Sequence, residues 1–181
     1  MSQQQDSRGP ATPRVFFALW PGASLQRRMD ELATQEHQRC GGKKPRQENL
    51  HITLAFLGEQ PVARIQQLQA IAATVQAAPF ELVLDRIGGW RGNGITWLSA
   101  PSVPPALNSL LKQLQQGLKQ AGFPTEDRPF VPHVTLLRKS RPAPTKRLDP
   151  PLVWPVNEFC LIQSELSEAG SVYTMIGRWP C

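Results

Sequence analysis

Residues 51–58 read HITLAFLG, and residues 133–140 read HVTLLRKS. Both open His-x-Thr-Leu, and both are rich in β-formers. In a strand, side chains at i and i+2 share a face. His51 and Thr53 therefore project together, as do His133 and Thr135. Ile52 and Leu54, like Val134 and Leu136, point the other way and can fill a core. Each stretch reads as a strand with an apolar back and a polar front. The chain has 3 histidines, and this repeat uses two of them. A segment with apolar residues at helical spacing precedes each copy, at 23–38 and at 104–121. The repeat predicts two similar lobes related by a pseudo-twofold, each presenting one motif strand.

The rest of the chain fits around these strands. Residues 14–20 (RVFFALW) form a short apolar strand stopped by Pro21-Gly22. Ile65, Leu68, Ala72 and Val75 recur at helical spacing and predict a helix over 61–77. Over 80–87, Phe80, Leu82 and Leu84 alternate with Glu81, Val83 and Asp85. A strand over 95–99 returns after a turn framed by Gly88-Gly89 and Gly92-Asn93-Gly94. Ser102 is placed to cap the next helix, with Pro104 and Pro105 near its first turn. Leu107, Leu110, Leu111, Leu114 and Leu118 stripe that helix, and Gly122 sits where it should end. Residues 141–151 are proline-rich and read as an exposed loop. Residues 153–166 and 171–178 are two β-rich runs joined as a hairpin around Glu168-Ala169-Gly170. The fold class is α+β with antiparallel sheets, not a doubly wound parallel sheet. Residues 1–13 read as a disordered tail ahead of one domain, 14–181.

Composition supports this reading. A chain of 181 residues, 40% apolar and 19% charged, suits an ordered globular domain that needs no disulfide staples. No apolar run is long enough to span a membrane, and the N-terminus lacks a secretory h-region. Three cysteines, Cys40, Cys160 and Cys181, lie far apart with no CxxC pair. Together these point to a cytoplasmic protein with no membrane association. The net charge of +6 suits anionic partners as well as plain solubility. Arg138, Lys139, Arg141, Lys146 and Arg147 fall close together with no acid among them.

Two imidazoles facing one cleft can act as general base and general acid near neutral pH. Nearby hydroxyls and positive charge can hold a phosphoryl oxygen and stabilise developing charge. That set suffices for phosphodiester cleavage without a metal. The near symmetry of the motifs leaves open which histidine is acid and which is base. A single His-x-Thr is usually only a satisfied polar pair on a strand, and its repetition with the same apolar framing weighs against that. His37 belongs to no motif and reads as a surface residue. Neither motif brings a third ligand at zinc spacing. P-loop, GxSxG and GxGxxG patterns are all missing from the sequence.

At these two motifs the chain resembles the two-histidine (2H) phosphoesterase superfamily. Within it, the chain is most similar to the RNA 2′,3′-cyclic phosphodiesterase branch, also called 2′-5′ RNA ligases. Arg14–Leu19, residues 49–58 (NLHITLAFLG) and residues 128–138 (RPFVPHVTLLR) carry the resemblance. Leu161, Ser164, Gly170, Tyr173 and Trp179 fit its C-terminal hairpin. The resemblance implies a bilobal fold with two antiparallel β-sheets facing a central cleft and helices on the outside. It implies hydrolysis of an RNA or oligonucleotide 2′,3′-cyclic phosphate end to a 2′-phosphomonoester, by a monomer with no cofactor and no metal. His51 then corresponds to the proton donor and His133 to the proton acceptor, with Thr53 and Thr135 beside them. Five residues after each histidine come Phe56 and Arg138, which the resemblance assigns to substrate, by stacking and by phosphate binding. Strict alternation puts an i+5 residue on the opposite face from i, so both assignments require a bulge, a twist or a strand end. Phe56 stays open between that role and a core position. Other readings also stay open: another cyclic or 2′-5′ phosphodiester, the reverse 2′-5′ ligation, a nucleotide- or RNA-binding module without turnover, or a zinc-dependent enzyme.

Overall fold

The computed structural model describes residues 12–90, 92–167 and 170–181. Most of the expected tail (1–11), Arg91 and the Glu168-Ala169 turn lie outside the described residues. The strands are β1 (Arg14–Leu19), β2 (Ile52–Glu59), β3 (Phe80–Trp90), β4 (Ile95–Ser99), β5 (His133–Leu137), β6 (Lys146–Val156), β7 (Glu158–Ser167) and β8 (Gly170–Pro180). The helices are α1 (Ala23–Cys40), α2 (Val62–Ala73) and α3 (Pro105–Gln120), with a 3₁₀ turn at Gln47–Asn49. Among the described residues, no helix is long and apolar enough to cross a membrane.

The expectation of two sheets is corrected. The strands form one 8-stranded sheet in the order β6-β3-β4-β5-β2-β1-β7-β8. All its pairs are antiparallel. The two motif strands meet at its centre through the pair Ile52↔Val134. These are apolar back-face residues of the two motifs, so the same residues that fill the core also join the halves. Outward from that join, each half repeats one plan. The motif strand pairs with the strand that precedes it in sequence, and a helix connects the two: α1 between β1 and β2, α3 between β4 and β5.

The sheet has an apolar back covered by helices. Ile52, Leu54, Leu57, Val134 and Leu136 share one buried cluster with Met29, Leu68 and the α3 leucines. All five α3 leucines of the stripe are buried, each worth roughly 1.5–3 kcal/mol relative to exposure. The helix starts after Pro104 with no side-chain cap, so Ser102 does not cap it. It ends in a Schellman motif: Gly122 has φ 70°, Gly122 N donates to Lys119 O, and Phe123 N donates to Leu118 O. Helix α1 buries Gln26, Met29, Ala33, Glu36 and Cys40, a face shifted from the one that its apolar residues Leu25, Met29 and Leu32 mark out. His37 is exposed on that helix.

Three further expectations need correction. Gly88 and Gly89 lie inside β3 instead of framing the turn after it. A Cβ on Gly89 would meet the Ala143 backbone nitrogen at 2.6 Å, so the strand needs glycine for a close backbone approach. The run 141–151 is not all loop, because β6 begins at Lys146. β6 is an edge strand, and an edge tolerates proline because one of its two sides has no ladder to break. The run 153–166 is two strands: β6 pairs with β3 in one half and β7 with β1 in the other, crossing at Asn157. The β7–β8 hairpin forms as expected, with Ser167 paired to Gly170.

Candidate active site

His51 stands just ahead of β2, and buried polar contacts set its position. Gln26, on the buried face of α1, donates through Nε2 to Glu48 O at 3.1 Å and Leu50 O at 3.4 Å. Asn49 donates through Nδ2 to Ser171 O at 2.9 Å, tying the 3₁₀ turn to β8. The Asn49 carbonyl in turn accepts the Nδ1–H of His51 at 2.6 Å. On the other side of the ring, Nε2 lies 3.1 Å from Thr53 Oγ1. Three aromatic rings enclose the imidazole. Trp20 stacks on it at 5.0 Å and 6°, Phe16 lies 5.0 Å away, and Tyr173 presents an edge at 5.5 Å. Phe16, Trp20 and Tyr173 belong to a small apolar cluster on the front of β1, β7 and β8.

His133 opens β5 in the other half. Its Nδ1–H donates to Val131 O at 2.8 Å, and Trp90 meets its ring edge-on at 4.6 Å. A carbonyl only accepts, so each Nδ1 carries the proton and each Nε2 is the titrating atom. For neutral His51, the Thr53 hydroxyl donates to Nε2. The Nε2 of His133 has no hydrogen-bond partner among the described residues.

Burial pushes the pKa of His51 down from 6.5 to about 4. The Asn49 carbonyl opposes that shift, while the positive charge of Arg138 and the nearby His133 add to it. The pKa of His133 is also lowered, by burial first and then by Arg138, against the Val131 carbonyl. Both shifts follow from placing a charge where water is scarce and a guanidinium is close.

The bulges that the i+5 residues require are present. Along β2, Thr53 pairs with Ala18 and Ala55 with Phe17, so Leu54 is the extra residue. Phe56 then pairs with Phe16 and Gly58 with Val15, leaving Leu57 extra. Between these bulges Ala55 is part-buried and Phe56 is exposed. Phe56 is 45% exposed, which rules out the core position for it. Along β5, Thr135 pairs with Trp97 and Leu137 with Thr96, so Leu136 is extra and Leu137 is buried. That shift brings Arg138 to the same side as His133 and Thr135.

His51, Thr53, His133, Thr135 and Arg138 line one cavity of about 230 Å³, with Lys43, Arg46 and Tyr173. Phe56 lines a larger neighbouring groove of about 550 Å³ with Trp90, Asn93, Arg128 and Phe130. The two spaces share Thr53 and His133. All six sequence-singled residues thus meet in one continuous cleft. Lys43, Arg46, Trp20 and Trp90 carry no repeat signal: Lys43 and Arg46 lie in the loop ahead of the first motif, Trp20 follows β1 and Trp90 ends β3. Lys43 enters because residues 43 and 138 pair backbone to backbone at 2.7 and 2.9 Å. Gly42 permits this approach: its φ is 94°, and a Cβ there would meet Arg138 O at 2.6 Å. Among the described residues, no group of 3 His, Cys, Asp or Glu comes together to hold a metal ion.

Comparison with known proteins gives the family and the fold. A family model described as the 2′-5′ RNA ligase superfamily matches residues 21–168. An RNA 2′,3′-cyclic phosphodiesterase of Escherichia coli is 31% identical over 169 residues, covering 92% of this chain and 95% of that protein. One of the same name from Thermus thermophilus is 31% identical over 179 residues, covering 92% and 89%. The crystal structure of E. coli LigT complexed with 3′-AMP superposes with a TM-score of 0.86 at 30% identity, covering 93% of this chain and 98% of that one. The phosphate complex of LigT gives a TM-score of 0.80 at 29% identity, covering 94% and 98%.

Proposed function

The chain belongs to the 2′-5′ RNA ligase superfamily, and we propose that it hydrolyses RNA 2′,3′-cyclic phosphate ends to 2′-phosphomonoesters. The observation that carries this reading is the pair of histidines lining one cavity, each with Nδ1 fixed on a backbone carbonyl. The relatives named RNA 2′,3′-cyclic phosphodiesterase, and the 3′-AMP complex of LigT, supply the substrate class.

In this reading the cyclic phosphate sits between the two Nε2 atoms. His133 takes a proton from water, and the water oxygen forms a bond to phosphorus. The bond from phosphorus to O3′ breaks, and His51 delivers its Nε2 proton to that oxygen. O2′ keeps the phosphate. His133 ends protonated and His51 neutral, and exchange with solvent resets the pair. Thr53, Thr135 and Arg138 hold the phosphoryl oxygens, where fixed donors act most strongly on developing charge. Phe56 is a stacking platform for the terminal base. The donor must first be charged. With a pKa near 4, His51 is neutral in the free protein at pH 7. The substrate's negative charge in the cleft favours the imidazolium, so a proton is taken up as substrate binds. No metal or other cofactor enters these steps.

The test is product identification. The purified protein, in excess EDTA, is given a short RNA ending in a 2′,3′-cyclic phosphate. A 2′-phosphate end is expected. A 3′-phosphate end would reverse which oxygen leaves, and an unchanged end would refute the reaction.

A further inference from the structure

We infer that the cationic strip that continues from Arg138 out of the cleft, formed by Lys139 and Arg141 opposite Lys43, binds the phosphate backbone upstream of the reacting end. The preferred ligand is then an RNA of several nucleotides, not a mononucleotide. This deepens the function proposed above and rests on it for the position of the reacting end.

Backbone pairing builds the strip. Lys43 and Arg138 exchange both hydrogen bonds, and Arg141 N donates to Cys40 O at 2.9 Å. The Arg141 guanidinium donates to Arg39 O at 2.9 Å. Segment 138–141 therefore runs along the C-terminal end of α1 and the loop after it. Ser140, buried between the two outer cations, fixes the segment from below. Its N and Oγ donate to Gly94 O, and its Oγ bonds Thr96 Oγ1. Lys139 and Arg141 on either side are exposed.

Charge pairing separates this strip from the other cations nearby. Lys146 and Arg39 bridge the buried Glu36, Lys44 bridges Asp30, and Arg147 bridges Asp85. Lys43, Arg138, Lys139 and Arg141 form no ion pair among the described residues. A cyclic phosphodiester carries a single negative charge, which Arg138 in the catalytic cavity can match. The remaining cations are a surplus for a mononucleotide and a match for further phosphates. The neighbouring groove lacks this character, since its Arg128 is already paired with Glu126.

The test compares a 2′,3′-cyclic mononucleotide with cyclic-phosphate-ended RNAs of increasing length, across a salt series. KM is expected to fall with length at low salt. Each single-strand phosphate contact contributes about −0.7 to the slope of log affinity against log salt. Lys139→Gln should shallow that slope by about 0.7 and weaken the longer RNA about fivefold near ~0.1 M salt. Adding Arg141→Gln should double the change in slope. Mononucleotide kcat/KM should stay the same in both variants. The Lys139 side chain makes no hydrogen bond among the described residues, so its variant tests the strip even if Arg141→Gln loosens the fold. Length-independent KM with normal turnover would overturn the strip and leave the reaction standing. If neither substrate turns over, but 2′-phosphate-ended RNA still binds with this length and salt dependence, the reaction falls and the strip stands.

Discussion

Replacing His51 by glutamine removes a histidine that the fold holds neutral, and the consequence is readable in stability. The folded pKa of His51 is about 4, against 6.5 when unfolded. Between those values the unfolded chain binds more protons than the folded one. Acidification therefore costs the wild type stability, with the loss growing as pH falls through 6.5 and levelling off below 4. Integrating one such site gives a loss of about 2 kcal/mol by pH 5 and about 3 kcal/mol by pH 4, relative to neutral pH. A glutamine at this position would not titrate, and the other groups are common to both proteins. The stability advantage of the wild type over His51→Gln should shrink by those amounts. Urea unfolding of both proteins at pH 7, 5 and 4 measures it, with each midpoint multiplied by its own m-value. An advantage that stays constant to within ~0.5 kcal/mol across that range would refute the claim that the Phe16, Trp20 and Tyr173 enclosure desolvates His51.

Trp20→Leu opens one face of that ring to water, so the His51 pKa should rise from about 4 toward 6.5 in an NMR titration. The groups facing His51 that must be held constant are His133, Arg138, Tyr173, Lys43 and Arg46, and Trp20→Phe should keep most of the shift. Phe56→Ala should raise KM for a cyclic-phosphate RNA while changing unfolding free energy by less than ~0.5 kcal/mol, because the side chain is 45% exposed. Equal loss of stability would put it in the core. Gly89→Ala should lower stability by about 1–3 kcal/mol, since the new Cβ meets backbone rather than a movable side chain. A neutral effect in thermal unfolding would mean that the 143 segment shifts freely.

The parts of this fold that the sequence made legible are those set by local period. His-x-Thr alternation identified both motif strands, and the leucine spacing of α3 identified its buried face. What stayed hidden depends on long-range pairing. One apolar pair, Ile52↔Val134, turns two expected sheets into one. The bulges at Leu54, Leu57 and Leu136 leave no mark in composition, yet they decide whether Phe56 and Arg138 face the cleft. The buried face of α1 includes Gln26 and Glu36, which read as surface residues until their partners are known. The prolines of 141–151 pointed to loop because edge-strand status is a property of the sheet. In the site, the histidines were legible because they repeat. Their aromatic surroundings were not, because Trp20, Trp90 and Tyr173 come from three separate parts of the chain.

The central claim is that His51 and His133 form one acid–base pair. Single-turnover rates on an RNA ending in a 2′,3′-cyclic phosphate, for wild type, His51→Ala, His133→Ala and the double variant, test it most directly. Each single variant should lose roughly 10²–10⁴-fold in rate. The double variant should lose far less than the product of the two, because the histidines act as a unit. Either single variant turning over within about tenfold of the wild type would contradict the claim.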